Sequence, residues 1–102
     1  MTVNIGLLGA GWFGREAHLR NLLKLADVAV VAASSRSGAS RAAVQEIGGN
    51  QIAVYEHWHD ALQHDGLDAV IVALTNNEHH AACMAAFDRG LHVLCEKPLG
   101  LT

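Results

Sequence analysis

Only two cysteines occur in the chain, Cys83 and Cys95, and their separation forms no C-x-x-C motif. That pattern fits a cytosolic chain with reduced thiols, so the expected location is the cytoplasm. No apolar run reaches the length of a membrane span, and the first residues lack the basic-then-apolar order of a signal peptide. A membrane is therefore not expected as a partner. Basic residues are few: net charge is −3 and the isoelectric point is about 6.1, which leaves no footprint for nucleic acid. The seven histidines are scattered. There is no repeat, low-complexity tract or internal linker. Charged residues make up 17% and apolar residues 51%, a balance that suits a buried core and excludes disorder. A length of 102 residues bounds the chain to one domain.

What is present is a regular alternation. Apolar runs at Val3–Leu8, Val28–Ala33, Ile52–Tyr55, Ala69–Leu74 and Leu91–Cys95 read as strands. Their near-continuous hydrophobicity fits a parallel sheet covered on both faces. Between them, helices are predicted over Trp12–Leu25, Ala39–Ile47, His57–His64 and Asn77–Arg89. In the first helix, Leu19, Leu22, Leu23 and Ala26 form the inner face. In the third, Trp58, Ala61 and Leu62 do, with His57 and His59 at the surface. In the fourth, Ala81, Ala82, Ala85 and Ala86 permit close packing, and Arg89 complements the C-terminal dipole. Gly48-Gly49 and Gly90 end the second and fourth helices.

Strands alternating with helices imply right-handed crossovers and an α/β, doubly wound parallel sheet in the order 3-2-1-4-5, with helices on both faces. The crevice outside the carboxyl ends of strands 1 and 4 is then the binding site. If no sixth strand follows, strand 5 is a sheet edge, which favours pairing between copies and a homo-oligomer.

Four loops meet at that crevice. Gly9-Ala10-Gly11-Trp12-Phe13-Gly14 joins the first strand to the first helix. Gly9 allows the turn, Gly11 lets backbone approach a pyrophosphate, and Gly14 lets helix and strand pack closely. The helix N-terminus directs free N–H groups at the phosphates. The chain holds 10 glycines, so G-x-G-x-x-G by itself is weak, and a purely structural turn is the alternative. Its position at a strand–helix junction gives it weight.

Ser35 stands 21 residues after Gly14, where NAD-preferring sites carry an acid for the ribose diol. Ser35 can donate to a phosphate oxygen and Arg36 can grip it, which favours NADP while leaving NAD open. Arg41, farther along, is a possible helper. A solvated turn with a surface arginine is the alternative. Thr75-Asn76-Asn77-Glu78-His79-His80 follows the fourth strand; its first residues either cap the next helix, contact the ligand, or both. Consecutive histidines point to different sides of a helix, so no metal site is expected. Glu96-Lys97-Pro98 follows the fifth strand, where an acid and a lysine can orient a ribose and a reacting oxygen or form a surface ion pair.

The first glycine motif, Thr75-Asn76-Asn77-x-x-His80 and Leu91-His92-Val93-Leu94-Cys95-Glu96-Lys97-Pro98-Leu99 together resemble the glucose–fructose oxidoreductase and inositol dehydrogenase family (Gfo/Idh/MocA). The resemblance covers nearly the whole chain. It implies that residues 1–102 are an N-terminal NAD(P)-binding Rossmann domain of a larger oxidoreductase. Lys97 would be the catalytic residue, near the nicotinamide and the substrate hydroxyl. Glu96, Thr75, Asn77 and His80 would line the nicotinamide side. Gly9, Ala10, Gly11, Trp12, Phe13, Gly14, Ser35, Arg36 and Arg41 complete the expected cofactor contacts. In the full-length family protein, hydride passes between the nicotinamide and a sugar, cyclitol or related polyol, with a later domain supplying a further aspartate and histidine. The 102 residues alone are expected to be inactive. Two departures stand out: Asn76 replaces a usual proline, and Ser35 replaces a usual acid. The rival expectation is a non-catalytic dinucleotide-binding sensor or assembly module.

Overall fold

The computed structural model describes residues 2–9, 19–74 and 76–95. Their strands are β1 (Val3–Leu8), β2 (Val28–Ser34), β3 (Ala53–Tyr55), β4 (Ala69–Val72) and β5 (His92–Cys95). The helices are α1 (Arg20–Leu22), α2 (Gly38–Gly48), α3 (Trp58–Leu62) and α4 (Asn76–Asp88). All four strand pairings are parallel, and the order is β3-β2-β1-β4-β5. The doubly wound arrangement expected from the sequence is thus the observed one.

Alternation along the strands explains why their sequences are apolar throughout. On one face Ile5, Leu7 and Ile71 pack with Leu19, Val44 and Ile52, under α1 and α2. On the other, Leu8, Val70 and Val72 pack with Trp58, Leu62, Ala82 and Ala86 from α3 and α4. The buried residues of β1 and β4 therefore meet a helix on whichever side they point. In β2 the register slips between the pairs Ile5–Val30 and Gly6–Ala32. Val30 and Ala33 consequently face the same core despite their odd spacing.

Local chemistry sets the helix ends. Ser37 caps α2, its hydroxyl accepting from the Ser40 N–H at 3.2 Å. Gly49, at φ +95°, closes it with an N–H bond to the Gln45 carbonyl at 2.8 Å. After α4, Gly90 adopts φ +75° and the Leu91 N–H returns to the Ala86 carbonyl at 3.1 Å.

Some sequence expectations need correction. Leu23 is 40% exposed and Ala26 is exposed, because α1 ends at Leu22 and the chain turns away from the core. Leu19 is buried and Leu22 packs against the core, as expected. Ala81 is exposed; the inner stripe of α4 is Ala82, Cys83 and Ala86. Arg89 lies just past α4, and its guanidinium donates to Gln63 Oε1 at 3.2 Å.

Candidate functional site

Order β3-β2-β1-β4-β5 places the ends of β2 and β4 on either side of the end of β1. The chain leaves β1 through Gly9, at φ +95°. A side chain there would strike the Ala73 carbonyl, so the turn needs glycine sterically as well as conformationally. The Gly9 N–H is 3.2 Å from Ser34 Oγ and 3.2 Å from the Ser34 carbonyl oxygen. Ser34, 2% exposed, is the one buried polar side chain among the described residues. The sequence reading ended β2 at Ala33 and gave Ser34 to the loop. In fact it completes β2 and ties that strand to the β1 exit.

Beyond Ser34 the chain crosses the top of the sheet. The Ser35 N–H bonds the Tyr55 carbonyl at 3.0 Å, and the Arg41 guanidinium donates to the Ser35 carbonyl at 2.7 Å. Arg41 thus braces the β2–α2 loop from below. Ser35 Oγ accepts from the Ser37 N–H at 3.4 Å. Arg36 is exposed, its side chain 72% accessible. It reaches across to Glu78 on the first turn of α4, at 2.6 Å.

An open groove of about 140 Å³ lies between these elements. Gly9, Ser34 and Leu74 line it, with Trp58 and His59 on the α3 side and Ser35, Arg36, Glu56 and Glu78 around it. Trp58 is buried, and the His59 ring stacks on it at 3.7 Å and 22°. The sequence identified Trp58 as core and His59 as surface; both hold, and it missed that the stacked pair borders the groove. It placed Glu78 in a crevice loop without giving it a role, and it missed Glu56, which stands in no pattern that links it to residues far away in sequence.

Other expected site residues are distributed as follows. Asn77 and His80 lie in α4 and are exposed. His79, beside His80, turns inward: its Nε2 is buried and has no hydrogen-bond partner among the described residues, and its Nδ1 is 3.9 Å from Cys83 Sγ. Ala10, Gly11, Trp12, Phe13, Gly14, Thr75, Glu96 and Lys97 lie outside the described residues. No group of three or more metal-ligating side chains occurs among the described residues. No described helix is long and apolar enough to cross a membrane.

The groove's composition fits the adenosine end of a dinucleotide. It offers a tight glycine turn at a strand exit, two serines, a guanidinium and apolar walls at the switch point of a doubly wound sheet.

Comparison with known proteins identifies the family. Residues 3–102 match the Gfo/Idh/MocA oxidoreductase family, NAD-binding Rossmann fold. The inositol 2-dehydrogenase of Klebsiella pneumoniae subsp. pneumoniae is 35% identical over 103 residues, covering 100% of this chain and 30% of the relative. The rhizopine catabolism protein MocA of Rhizobium meliloti is 35% identical over 98 residues, covering 96% and 30%. Among solved structures, scyllo-inositol dehydrogenase from Lactobacillus casei, with bound NAD(H) and scyllo-inositol, superposes with a TM-score of 0.86 at 31% identity, covering 100% of this chain and 30% of that one. KijD10, a 3-ketoreductase from Actinomadura kijaniata in complex with NADP and TDP-benzene, gives 0.84 at 28% identity, covering 97% and 30%. The chain spans about 30% of the length of these relatives. With its sheet order, its strand-exit glycine and a match across residues 3–102, the chain belongs to the Gfo/Idh/MocA oxidoreductases as their NAD-binding Rossmann domain.

Proposed function

We propose that the chain is the cofactor-binding part of a dehydrogenase that acts on a cyclitol or related polyol, and that it takes NADP in preference to NAD. The bound nicotinamide supplies hydride acceptance and return; this chain's residues hold and orient it. Gly9, Gly11 and Gly14 give the pyrophosphate a side-chain-free approach. Ser35 and Arg36 receive the adenosine ribose. Thr75, Asn77, His80 and Glu96 line the nicotinamide side, and Lys97 orients the substrate hydroxyl. The inositol dehydrogenases among the relatives support the substrate class.

One observation carries the NADP reading. The loop leaving β2 presents a serine and an exposed guanidinium at the groove, where an acid would repel a 2′-phosphate. A second reading, NAD, draws on the carboxylates of Glu56 and Glu78, which line the same groove. Dissociation constants for both cofactors decide between them. Arg36→Ala is expected to weaken NADP by roughly ten- to hundredfold, the usual worth of a charge-assisted hydrogen bond, and to leave NAD nearly unchanged. Adding Ser35→Asp should reverse the preference. Equal losses for the two cofactors, or a wild type that prefers NAD, would overturn the NADP reading.

The rest of the catalytic apparatus belongs, on this proposal, to sequence beyond these 102 residues. The purified 102-residue chain should bind cofactor and turn over no polyol. Robust NADP reduction by it with a panel of cyclitols would sink that part of the proposal.

A further inference from the structure

The ion pair between Arg36 and Glu78 joins residues 42 apart in sequence. Arg36 belongs to the loop after β2, and Glu78 to the first turn of α4, which follows β4. Strands β2 and β4 flank β1, so the pair joins a loop and a helix from either side of the β1 exit. Both partners line the groove there. A surface pair between neighbouring helix positions would be unremarkable; this one joins two separate elements that line one groove.

We propose that Glu78 is a positioning residue for cofactor choice, acting by holding the Arg36 guanidinium. The inference rests on the reading that Arg36 receives the 2′-phosphate. One carboxylate and one phosphate then compete for the same fork of N–H donors. NADP must take Arg36 from Glu78, whereas NAD makes no demand on the guanidinium and leaves the pair closed. Glu78 thereby narrows the advantage of NADP over NAD without touching either cofactor. Its side chain is 30% accessible against 72% for Arg36, so the guanidinium is the partner more open to an incoming ligand.

Titration calorimetry of the intact protein with NADP and with NAD tests this. Glu78→Gln keeps the shape and removes the charge. It is expected to tighten NADP about two- to fivefold, the range of an exposed ion pair, and to leave NAD unchanged, with the difference shrinking as salt rises. In an Arg36→Ala background the same substitution should shift the NADP constant by less than half as much. An unaltered NADP-to-NAD ratio in Glu78→Gln, or a shift of undiminished size without Arg36, overturns the proposal. The parent reading is scored separately by Arg36→Ala alone. If that variant loses NADP selectively while Glu78→Gln changes nothing, only the role of Glu78 falls. If it weakens both cofactors equally, the reading and the role fall together.

Discussion

The Gly9 N–H lies 3.2 Å from both oxygens of Ser34, the hydroxyl and the carbonyl. This shared hydrogen bond ties the exits of β1 and β2 and engages the first N–H of the glycine loop within the protein.

Gly9→Ala should therefore damage the fold itself. The residue sits at φ +95°, and an added Cβ would meet the Ala73 carbonyl, a backbone group that cannot swing aside. Strain at such a position costs roughly 1–3 kcal/mol, with the clash adding to it. In a domain of this size each kcal/mol lowers the melting temperature by about 4–8 °C. A variant melting with the wild type would show that the turn tolerates a side chain.

Gly11→Val tests the loop differently. On the proposed reading, a branched side chain at the middle glycine should obstruct the pyrophosphate. Cofactor affinity should fall at least about tenfold while the melting temperature of the free protein holds. Unchanged affinity would move the phosphates elsewhere.

Ala82 and Ala86 are both fully buried, one turn apart on α4. Helix and sheet approach closely because these residues end at Cβ. Ala86→Leu is expected to destabilise by about 1–3 kcal/mol through overpacking. Ala81→Leu, on the exposed side of the same helix, should cost little by comparison. Similar losses at both positions in chemical denaturation would argue against the stripe.

Self-association is a further expectation. Among the described residues β5 pairs with β4 alone. Leu94 on β5 is 57% exposed, as is Phe87 on α4, and Met84, three residues earlier, is 48% exposed. Open strand edges and exposed apolar side chains both favour contact with another copy. Sedimentation should show a concentration-dependent species that Leu94→Lys weakens. A strict monomer at every concentration would dispose of the idea.

The sheet was legible because burial on both faces leaves a plain mark. Runs such as Val28-Ala29-Val30-Val31-Ala32-Ala33 have no polar alternation, and only a strand sandwiched between helices needs that. Gly48-Gly49 and Gly90 were readable as helix ends because their local conformations demand glycine. Leu23 misled because periodicity continues past the point where α1 stops. In the site, Ser35 and Arg36 could be placed by counting from the glycine motif. Glu78 could not be paired with Arg36, since their meeting depends on two strands lying either side of a third. Ser34 was hidden for a related reason: its burial comes from β1, not from its own polar neighbours.

That central strand has a further consequence, for the order in which the molecule is assembled. β1 finds one neighbour early: Gly9 and Ser34 are 25 residues apart. Its other neighbour comes late: Asn4, which bonds Asp68 at 2.8 Å, waits for a partner 64 residues on. A ribosome releasing the chain from its N-terminus delivers β2 first and β4 only about 2–8 s later, at ordinary rates of synthesis. Through that interval one side of the innermost strand is open to mispairing with other nascent chains. Stalled chains of increasing length should resist protease at β1 only once β4 has emerged, and protection at shorter lengths would contradict this order.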